Sequence, residues 1–497
     1  MDEDMQNIKN IAMALQGELT TPVIVSIAKS SGTRFSTPKV AQIVRDVLQS
    51  SKQSKISAFD TSSLVTSFSQ YNASKWDKIE HLGQGTYGTV SKMRRKSDEN
   101  KYIVKKVSTY GIDTSTVREI GCYSILTAAG ADIAKVEGLE LNGTKITMGL
   151  ELANTDLAKF AKSKQRFERI VMFSNVYDRC VRSLGQIHAC GIIHCDIKPQ
   201  NILVWLDNNR EITKLALADF GLASSRPDGG NFVYTSPYRA PELVEDDSSI
   251  STKETDIWAL GATLLDFLTT KYEFLVPDEN RAQMLTIREH ISDPTMALLN
   301  QTNKKEQVLT MLATNPADRL VIDEPIYTFP IRKWKPTKHN RVVLLPDDND
   351  DDSPTSKLGA VFIEMWKLQD VRRYGMPAFC QMIDIVCRYL AIEDIMEKNL
   401  RGICYMALSI SSKWGSVPYS NAYFDLDMAY NACNKENTRA LLQVFEQRII
   451  YALYGLIYIP GLEAFSNRMI SLDKENEFNR FLNGFIPNYK ITSGYGF

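Results

Sequence analysis

The spacing of apolar positions changes along the chain, and it predicts three kinds of region. Between about residues 75 and 110, β-branched runs bounded by glycines indicate strands. Helical signals dominate from about 155 to 320 and again from 357 to about 470. In the second helical region, apolar residues recur at the three- and four-residue spacing of an amphipathic helix, for example at Leu400, Ile403, Cys404, Ala407 and Leu408. We therefore expect a β-rich segment followed by two mainly helical regions.

Three further segments show weaker patterns. Residues 1–74 are rich in serine and contain one apolar-faced helical pattern after Thr37-Pro38, which predicts a partly ordered extension with a packing or regulatory role. Residues 327–356 read as a linker, because they hold several prolines and an acidic run at 347–352 that should stay solvated. The expected organisation is thus an extension, a domain over 75–326, the linker, a helical domain over 357–470 and a tail over 471–497.

Composition narrows the class of protein without naming an activity. The length of 497 residues suggests two or three domains. A net charge of −1 gives no electrostatic bias toward nucleic acid or an anionic membrane, and neither is expected as a partner. The longest apolar run, residues 449–460, is too short to cross a bilayer, and the acidic start shows no secretory signal. The eight cysteines lack paired spacing, so we expect an intracellular protein of the cytoplasm or nucleus without a zinc site.

Two short motifs carry the chemistry. Residues 194–201 contain Asp196, Lys198 and Asn201, and Asp219 opens an Asp-Phe-Gly stretch eighteen residues after Asn201. Phosphate transfer needs this set: a carboxylate that takes the proton of the attacking hydroxyl, a cation for the phosphoryl oxygens, and an Asn and an Asp for magnesium. A polar surface loop could match such a pattern by chance, but the order and spacing of the two motifs disfavour that reading.

A glycine-rich stretch over residues 83–90 lies between strand patterns rather than between a strand and a helix. That position disfavours a dinucleotide-binding turn and predicts a hairpin whose backbone approaches nucleotide phosphates. The glycines of this hairpin are Gly83, Gly85 and Gly88.

A lysine and a glutamate follow the hairpin, and their order along the chain supports a functional role for both. Lys105 comes 17 residues after Gly88 on the next strand, where it can reach the α- and β-phosphates. Glu119 lies on the next helical segment and would hold that lysine. Choosing Lys106 instead would shift the strand by one residue and exchange its faces. Lys105 is the expected residue, as the family resemblance described next implies, because its members carry a second lysine and an apolar residue after this lysine.

With these motifs, residues 75–325 resemble the eukaryotic protein kinases. The other matching signatures are Ala240-Pro241-Glu242, the stretch 256–261 and Arg319. The resemblance implies an α+β bilobal fold, with a small β-rich lobe plus one helix and a large helical lobe. It also implies ATP and Mg²⁺ as cofactors. Asp196 would deprotonate the substrate hydroxyl, Lys198 would steady the phosphoryl group, and Asn201 and Asp219 would bind Mg²⁺.

The same resemblance implies a nucleotide site and one departure from it. Residues 150–153 look like the hinge that meets adenine, with Asp156 as a ribose contact. The remaining implied contacts are Leu82, Val90, Glu151 and Ala153. Ile103 stands where relatives carry a small alanine against adenine, which we expect to weaken nucleotide binding.

Three stretches resemble the cyclin-dependent kinases in particular. Residues 115–120 are close to their cyclin-binding helix, and Thr86-Tyr87 matches their inhibitory phosphorylation pair. Residues 233–240 resemble the segment that forms a pocket for a substrate proline, so the resemblance implies Ser/Thr-Pro sites in protein substrates. Within that stretch, Thr235 is the residue that marks serine/threonine kinases.

Two further departures agree with each other. Cys195 replaces the arginine that relatives use to bind a phosphate on the activation segment. Gly229-Gly230 lies where relatives carry the phosphorylated threonine. The sequence therefore predicts activity without phosphorylation of the activation segment.

The C-terminal helical region resembles a single cyclin box. Residues 400–413 are similar to its central helix, and residues 384–390 and 446–453 are similar to neighbouring helices. The resemblance implies that Lys413 and Glu446 pair at the kinase-binding face. A generic helical bundle remains the alternative.

Together these readings imply a cyclin-dependent kinase followed by an all-α cyclin-like domain that activates it within the chain. Two alternatives stay open: a catalytically silent kinase-like scaffold, and an active kinase that uses a separate cyclin, such as one from a host cell, with a structural C-terminal domain. The fused arrangement is what a compact genome, such as that of a large DNA virus, would favour.

Overall fold

The computed structural model describes residues 57–58, 72–85, 88–108, 112–142, 145–225, 238–245, 250–270, 291, 293–325, 327–328, 357–368, 371, 373–390, 392–393, 395–415, 423–433 and 437–458. The chain divides into two compact units, one of which comprises Met1–Ala58 and Pro325–Thr328. In that unit, strand β1 (Ser57–Ala58) pairs in parallel with strand β10 (Tyr327–Thr328). All elements described below belong to the other unit.

The first layer of the larger unit is a five-stranded antiparallel sheet with the strand order β2-β3-β4-β6-β5. Its strands are β2 (Trp76–Gly85), β3 (Gly88–Arg95), β4 (Asp98–Ser108), β5 (Val136–Asn142) and β6 (Lys145–Glu151). β2, β3 and β4 pair in sequence order, and a helix follows β4. The chain then forms the edge strand β5 and returns through β6, which lies between β4 and β5.

That inserted helix, α1 (Thr114–Ala129), begins and ends at clear capping residues. The Asp113 carboxylate accepts a 2.7 Å hydrogen bond from the Thr116 amide, and Gly130 ends the helix with a φ of +72°. Nearly every residue of α1 is buried, including polar ones, so the helix is covered on all sides. The predicted small β-rich lobe with one helix is confirmed.

The larger lobe is helical and carries one small antiparallel sheet. Its helices are α2 (Leu157–Ser163), α3 (Arg166–Ala189), α4 (Glu242–Glu245), α5 (Lys253–Thr269), α6 (Asp293–Leu299) and α7 (Lys305–Met311). Its strands are β7 (Thr155–Asp156), β8 (Ile202–Leu206) and β9 (Ile212–Leu217), in that spatial order. Helix α5 is buried almost throughout and contacts α2, α3, α6 and α7, so it forms the core of this lobe.

A buried ion pair braces the far end of this lobe. Arg319 donates two parallel hydrogen bonds of 2.6 Å to the Glu242 carboxylate, and its guanidinium group lies over the Trp258 ring. Such a bidentate pair fixes both distance and angle between the elements that carry it. The bilobal kinase fold implied by the sequence is therefore the fold observed, and two of its signature residues, Glu242 and Arg319, meet in it.

The described C-terminal residues form five helices. They are α8 (Lys357–Lys367), α9 (Gly375–Leu390), α10 (Leu400–Trp414), α11 (Leu426–Ala432) and α12 (Arg439–Ala452). Helix α10 is buried along nearly its whole length and contacts the other four, and it also packs against α1 of the kinase lobe. None of the helices that the structure describes is long and apolar enough to cross a membrane.

Candidate active site

The loop between α3 and β8 brings three of the predicted residues together. Lys198 Nζ lies 2.7 Å from Asp196 Oδ2. Asn201 Nδ2 donates to the same oxygen at 2.9 Å and to the Asp196 carbonyl at 2.8 Å. The short helical turn Pro199–Asn201 folds the loop back so that these groups meet. Two donors thus fix the orientation of a carboxylate that is only 5% exposed.

Asp256, on α5, accepts hydrogen bonds from the backbone of this loop. Its Oδ2 accepts the His194 amide at 2.7 Å and lies 3.0 Å from His188 Nε2, while its Oδ1 accepts the Cys195 amide at 3.0 Å. Cys195 has a left-handed backbone with φ of +64°, which costs a non-glycine residue about 1 kcal/mol. The buried carboxylate offsets that cost by satisfying two consecutive backbone donors. The sequence included Asp256 in a signature but assigned it no role.

Asp219 follows β9, whose end is bonded to the catalytic loop. The preceding residue, Ala218, donates its amide to the Asn201 carbonyl at 2.9 Å, and its own carbonyl lies 3.0 Å from His194 Nε2. Asp219 itself is left-handed, with φ of +67°, and exposed. The bond at Ala218 therefore brings the backbone of Asp219 close to Asn201, and its strained conformation is of the kind that collects at functional sites.

The oxygen atoms on this side suit magnesium. Asn201 uses its amide nitrogen on Asp196, which leaves its carbonyl oxygen as the group that could hold a cation. Asp219 adds a solvent-accessible carboxylate. Mg²⁺ prefers one or two such hard oxygen ligands together with water and substrate phosphates. The donor set therefore fits the predicted ion.

Helix α1, which carries Glu119, packs against the Asp-Phe-Gly turn. The Tyr123 ring lies edge-on to Phe220, with centroids 5.1 Å apart. Burial raises the pKa of Tyr123 well above its usual value, and the charges of Glu119 and Asp219 raise it further. Glu119 is 5% exposed, and its pairing with the lysine of β4 stays a prediction.

Both candidate lysines lie within strand β4. The backbone pairs Lys105 with Ser91 on β3 and Gly149 on β6, and it pairs Lys106 with Val90 on β3 and Met148 on β6. The choice of Lys105 over Lys106 as the phosphate-binding lysine stays a prediction from the sequence.

Ile103 lies two residues before Lys105 on β4. It is fully buried in a cluster with Trp76 and Met93. A residue packed in that way contributes to the core of the sheet. The weaker nucleotide binding expected from its bulk stays a prediction.

The other predicted nucleotide residues lie along the edge of the sheet and the hinge. Leu82 is 45% exposed, and Val90 and Ala153 are half-buried. Glu151 accepts a 2.9 Å bond from Lys214, and Asp156 caps α2 by accepting the Lys159 amide at 2.9 Å. The carboxylates of the hinge region are thus engaged in local structure.

The glycine hairpin is described only in part. Its backbone pairs Gly83 with Val90 and Gly85 with Gly88, as the end of a β2-β3 hairpin requires. Thr86-Tyr87, between the last two glycines, lies outside the described residues, and so does Thr235.

The predicted Lys413–Glu446 pair is formed and reaches the kinase lobe. Lys413 Nζ lies 2.6 Å from Glu446 Oε1 and donates to the Ile112 carbonyl at 2.8 Å. Ile112 immediately precedes the cap of α1. Both charged side chains are less than 10% exposed. The bond to the Ile112 carbonyl matters, because a buried ion pair without further hydrogen bonds gains little over its desolvation cost.

Close approach at this contact depends on glycines on both sides. A Cβ on Gly121 of α1 would overlap the Trp414 ring, and a Cβ on Gly455 would overlap Ile120. Gly455 also has a φ of +71°, which other residues rarely adopt. Beside it, Ser124 donates to the Tyr454 carbonyl at 2.8 Å. The sequence predicted the ion pair but not this close packing.

With this geometry in place, comparison with known proteins defines the class. The sequence pattern of the protein kinase domain matches residues 76–328, and the chain belongs to the protein kinase family. Among its relatives is the cyclin-dependent kinase B2-2 of Arabidopsis thaliana. It is 28% identical over 236 residues, which cover 44% of this chain and 72% of the relative. These similarities support a serine/threonine kinase of the cyclin-dependent type, and kinase domains in general use ATP with Mg²⁺.

Proposed function

We propose that the protein transfers the γ-phosphate of ATP to serine or threonine in protein substrates. The observation that carries this proposal is the convergence of Lys198 and Asn201 on the Asp196 carboxylate, with Asp219 beside them. A silent scaffold would not require four functional groups to be held in one catalytic geometry. The strained backbone at Asp219 supports the same conclusion, because such strain collects at functional sites.

Each group has a distinct task. ATP and its magnesium supply the transferable phosphoryl group and neutralise part of its charge. Asp196 accepts a hydrogen bond from the substrate hydroxyl and takes its proton, with the carboxylate orientation set by Asn201. Lys198 places a cation beside that carboxylate, where it can stabilise charge on the transferring group. Asn201 and Asp219 hold the metal.

The decisive experiment is transfer of radiolabelled phosphate by the purified full-length chain and by Asp219→Asn. We expect the variant to lose at least about a hundredfold in turnover, because it removes a charged metal ligand. Asp178→Asn, at an exposed ion pair with Lys304, is the matched control and should behave as wild type. A wild-type protein that transfers no phosphate would instead support the scaffold.

We further propose that the C-terminal helices act as a cyclin-like activator within the chain. The supporting observation is the bond from Lys413 to the carbonyl just before α1, the helix that carries Glu119. A tether raises the effective concentration of such a partner to about millimolar. The purified chain should therefore be active without an added cyclin. A requirement for added cyclin would favour the reading in which the helical domain is only structural.

A preference for Ser/Thr-Pro sites belongs to the same proposal. It rests on the similarity of residues 233–240 to the proline-pocket segment of the cyclin-dependent kinases. Paired peptides that differ only in Pro or Ala after the phosphorylated serine test it. Equal kcat/KM for the two peptides would refute the preference while leaving the kinase activity in place.

A further inference from the structure

Trp414, the last residue of α10, contacts three different parts of the molecule. Its ring lies against Gly121 of α1 and stacks on Tyr458 at a centroid distance of 5.0 Å. Its indole Nε1 donates a 2.7 Å hydrogen bond to Ser225 Oγ. Both partners of that bond are buried, with Trp414 3% and Ser225 7% exposed. A buried bond of this kind holds its partners in one geometry, because leaving either group unpaired is costly.

Ser225 lies at the start of the activation segment, six residues after Asp219. Its neighbour Ser224 forms an antiparallel bridge with Ile193, through amide–carbonyl bonds of 2.7 and 2.8 Å. Ile193 directly precedes His194 and so begins the catalytic loop. The segment is therefore bonded to the catalytic loop through Ser224 and to the helical domain through Ser225.

Position 195 carries a thiol where relatives carry an arginine. Cys195 is 2% exposed, and its thiol donates toward the Ile193 carbonyl at 3.6 Å. The Arg118 guanidinium, from α1, donates to the Gly221 carbonyl at 3.4 Å. The described start of the segment is thus held by backbone bonds, by Arg118 and by the neutral bond between Trp414 and Ser225.

We propose that Trp414 is a positioning residue for phosphoryl transfer, because its indole N–H fixes the start of the activation segment through Ser225. In this chain the helical domain thereby performs the task that a bound phosphate would otherwise perform. The inference rests on the proposed kinase function and adds to it the residue pair through which the helical domain acts. Trp414 does not touch the reacting atoms, so its effect passes through Ser225, Ser224 and Ile193.

Two conservative variants test the bond from its two ends. Trp414→Phe keeps an aromatic ring against Gly121 but removes the donor, and Ser225→Ala removes the acceptor. Each should lower kcat by about three- to tenfold, the equivalent of one net hydrogen bond, with the KM for ATP within about twofold of wild type. The double variant should be no slower than either single one, because both remove the same interaction.

Trp205→Phe is the matched control. The Trp205 indole N–H is buried, and it has no hydrogen-bond partner among the residues that the structure describes. Its removal should leave kcat unchanged. Hydrogen exchange of the peptide that spans residues 219–225 gives a second readout, since it should quicken in Trp414→Phe and Ser225→Ala but not in Trp205→Phe.

The possible failures are distinguishable. Additive losses in the double variant, or wild-type turnover in Ser225→Ala, overturn the Trp414 inference and leave the kinase proposal standing. A wild-type chain without phosphate transfer overturns both. If Trp414→Phe fails to fold, Ser225→Ala alone decides, through its kcat and the exchange of residues 219–225.

Discussion

The catalytic loop and the docking face of the helical domain, formed by Lys413, Trp414 and Glu446, are both buried polar networks. They differ in how far along the chain their partners lie. In the loop, Asp196 and Asn201 are five residues apart. The Lys413 bond to Ile112 joins residues 301 positions apart, and the Trp414 bond to Ser225 joins residues 189 apart. Functional residues that lie close together in the chain can be recognised as one site from the sequence. For residues that meet across domains, the sequence can indicate the residue but not its hydrogen-bond partner.

The two networks also differ in what holds them. A buried carboxylate, Asp256, organises the loop by accepting two backbone amides. At the docking face, the absence of side chains at Gly121 and Gly455 lets two helical regions approach closely. The first network should therefore respond mainly to changes of charge, and the second also to changes of volume.

The largest expected effect concerns the lysines of β4. Lys105→Met should lower kcat by about a hundredfold or more, because the sequence assigns this cation to the nucleotide phosphates. Lys106→Met is the control and should cost less than about tenfold. Steady-state kinetics with ATP as the varied substrate provide the measurement. The opposite ranking would show that Lys106 is the phosphate-binding lysine.

Next in size is reversal of charge at the docking face. Lys413→Glu places two buried carboxylates together, and breaking a buried pair costs about 3–5 kcal/mol. We expect kinase activity to fall more than about tenfold while the kinase lobe stays folded, as judged by the circular dichroism melt. The exposed Lys398→Glu is the control. Unchanged turnover in Lys413→Glu would show that this face does not activate the kinase.

A volume change should act more moderately. Gly121→Ala forces overlap with the Trp414 ring, and overpacking of this kind costs about 1–3 kcal/mol, offset in part by the better helix propensity of alanine. Turnover should fall about three- to tenfold. Thr127→Ala, on the same helix, should leave it unchanged. If Gly121→Ala has full activity, close packing at this helix does not matter for catalysis.

The smallest expected effect is that of phosphatase treatment. Cys195 provides no charge for an activating phosphate, and the segment is held through Ser224 and Ser225. Turnover of the dephosphorylated chain, verified by intact mass, should stay within about twofold of the untreated protein. A large loss of turnover that maps to dephosphorylation of the activation segment would show that a phosphate, and not the bonds of Ser224 and Ser225, holds this segment.

The sequence predicted the main helices and strands, and it predicted catalytic residues that lie close together in the chain, such as Asp196 and Asn201. It did not predict the role of Asp256, because the amides that this residue accepts lie 61 and 62 positions away. Its choice of Lys105 over Lys106 rests on resemblance alone. One residue more or less in a hairpin exchanges the faces of the whole strand, and the β3-β4 pairing contains an irregularity at Arg94/Arg95.

The bond between Lys413 and the Ile112 carbonyl joins two parts of one polypeptide. If the C-terminal helices activate the kinase as proposed, activator and enzyme are synthesised together in a fixed ratio of one to one, and dilution does not separate them. A cell that makes this protein could then not time its activity by supplying or destroying a separate activating subunit.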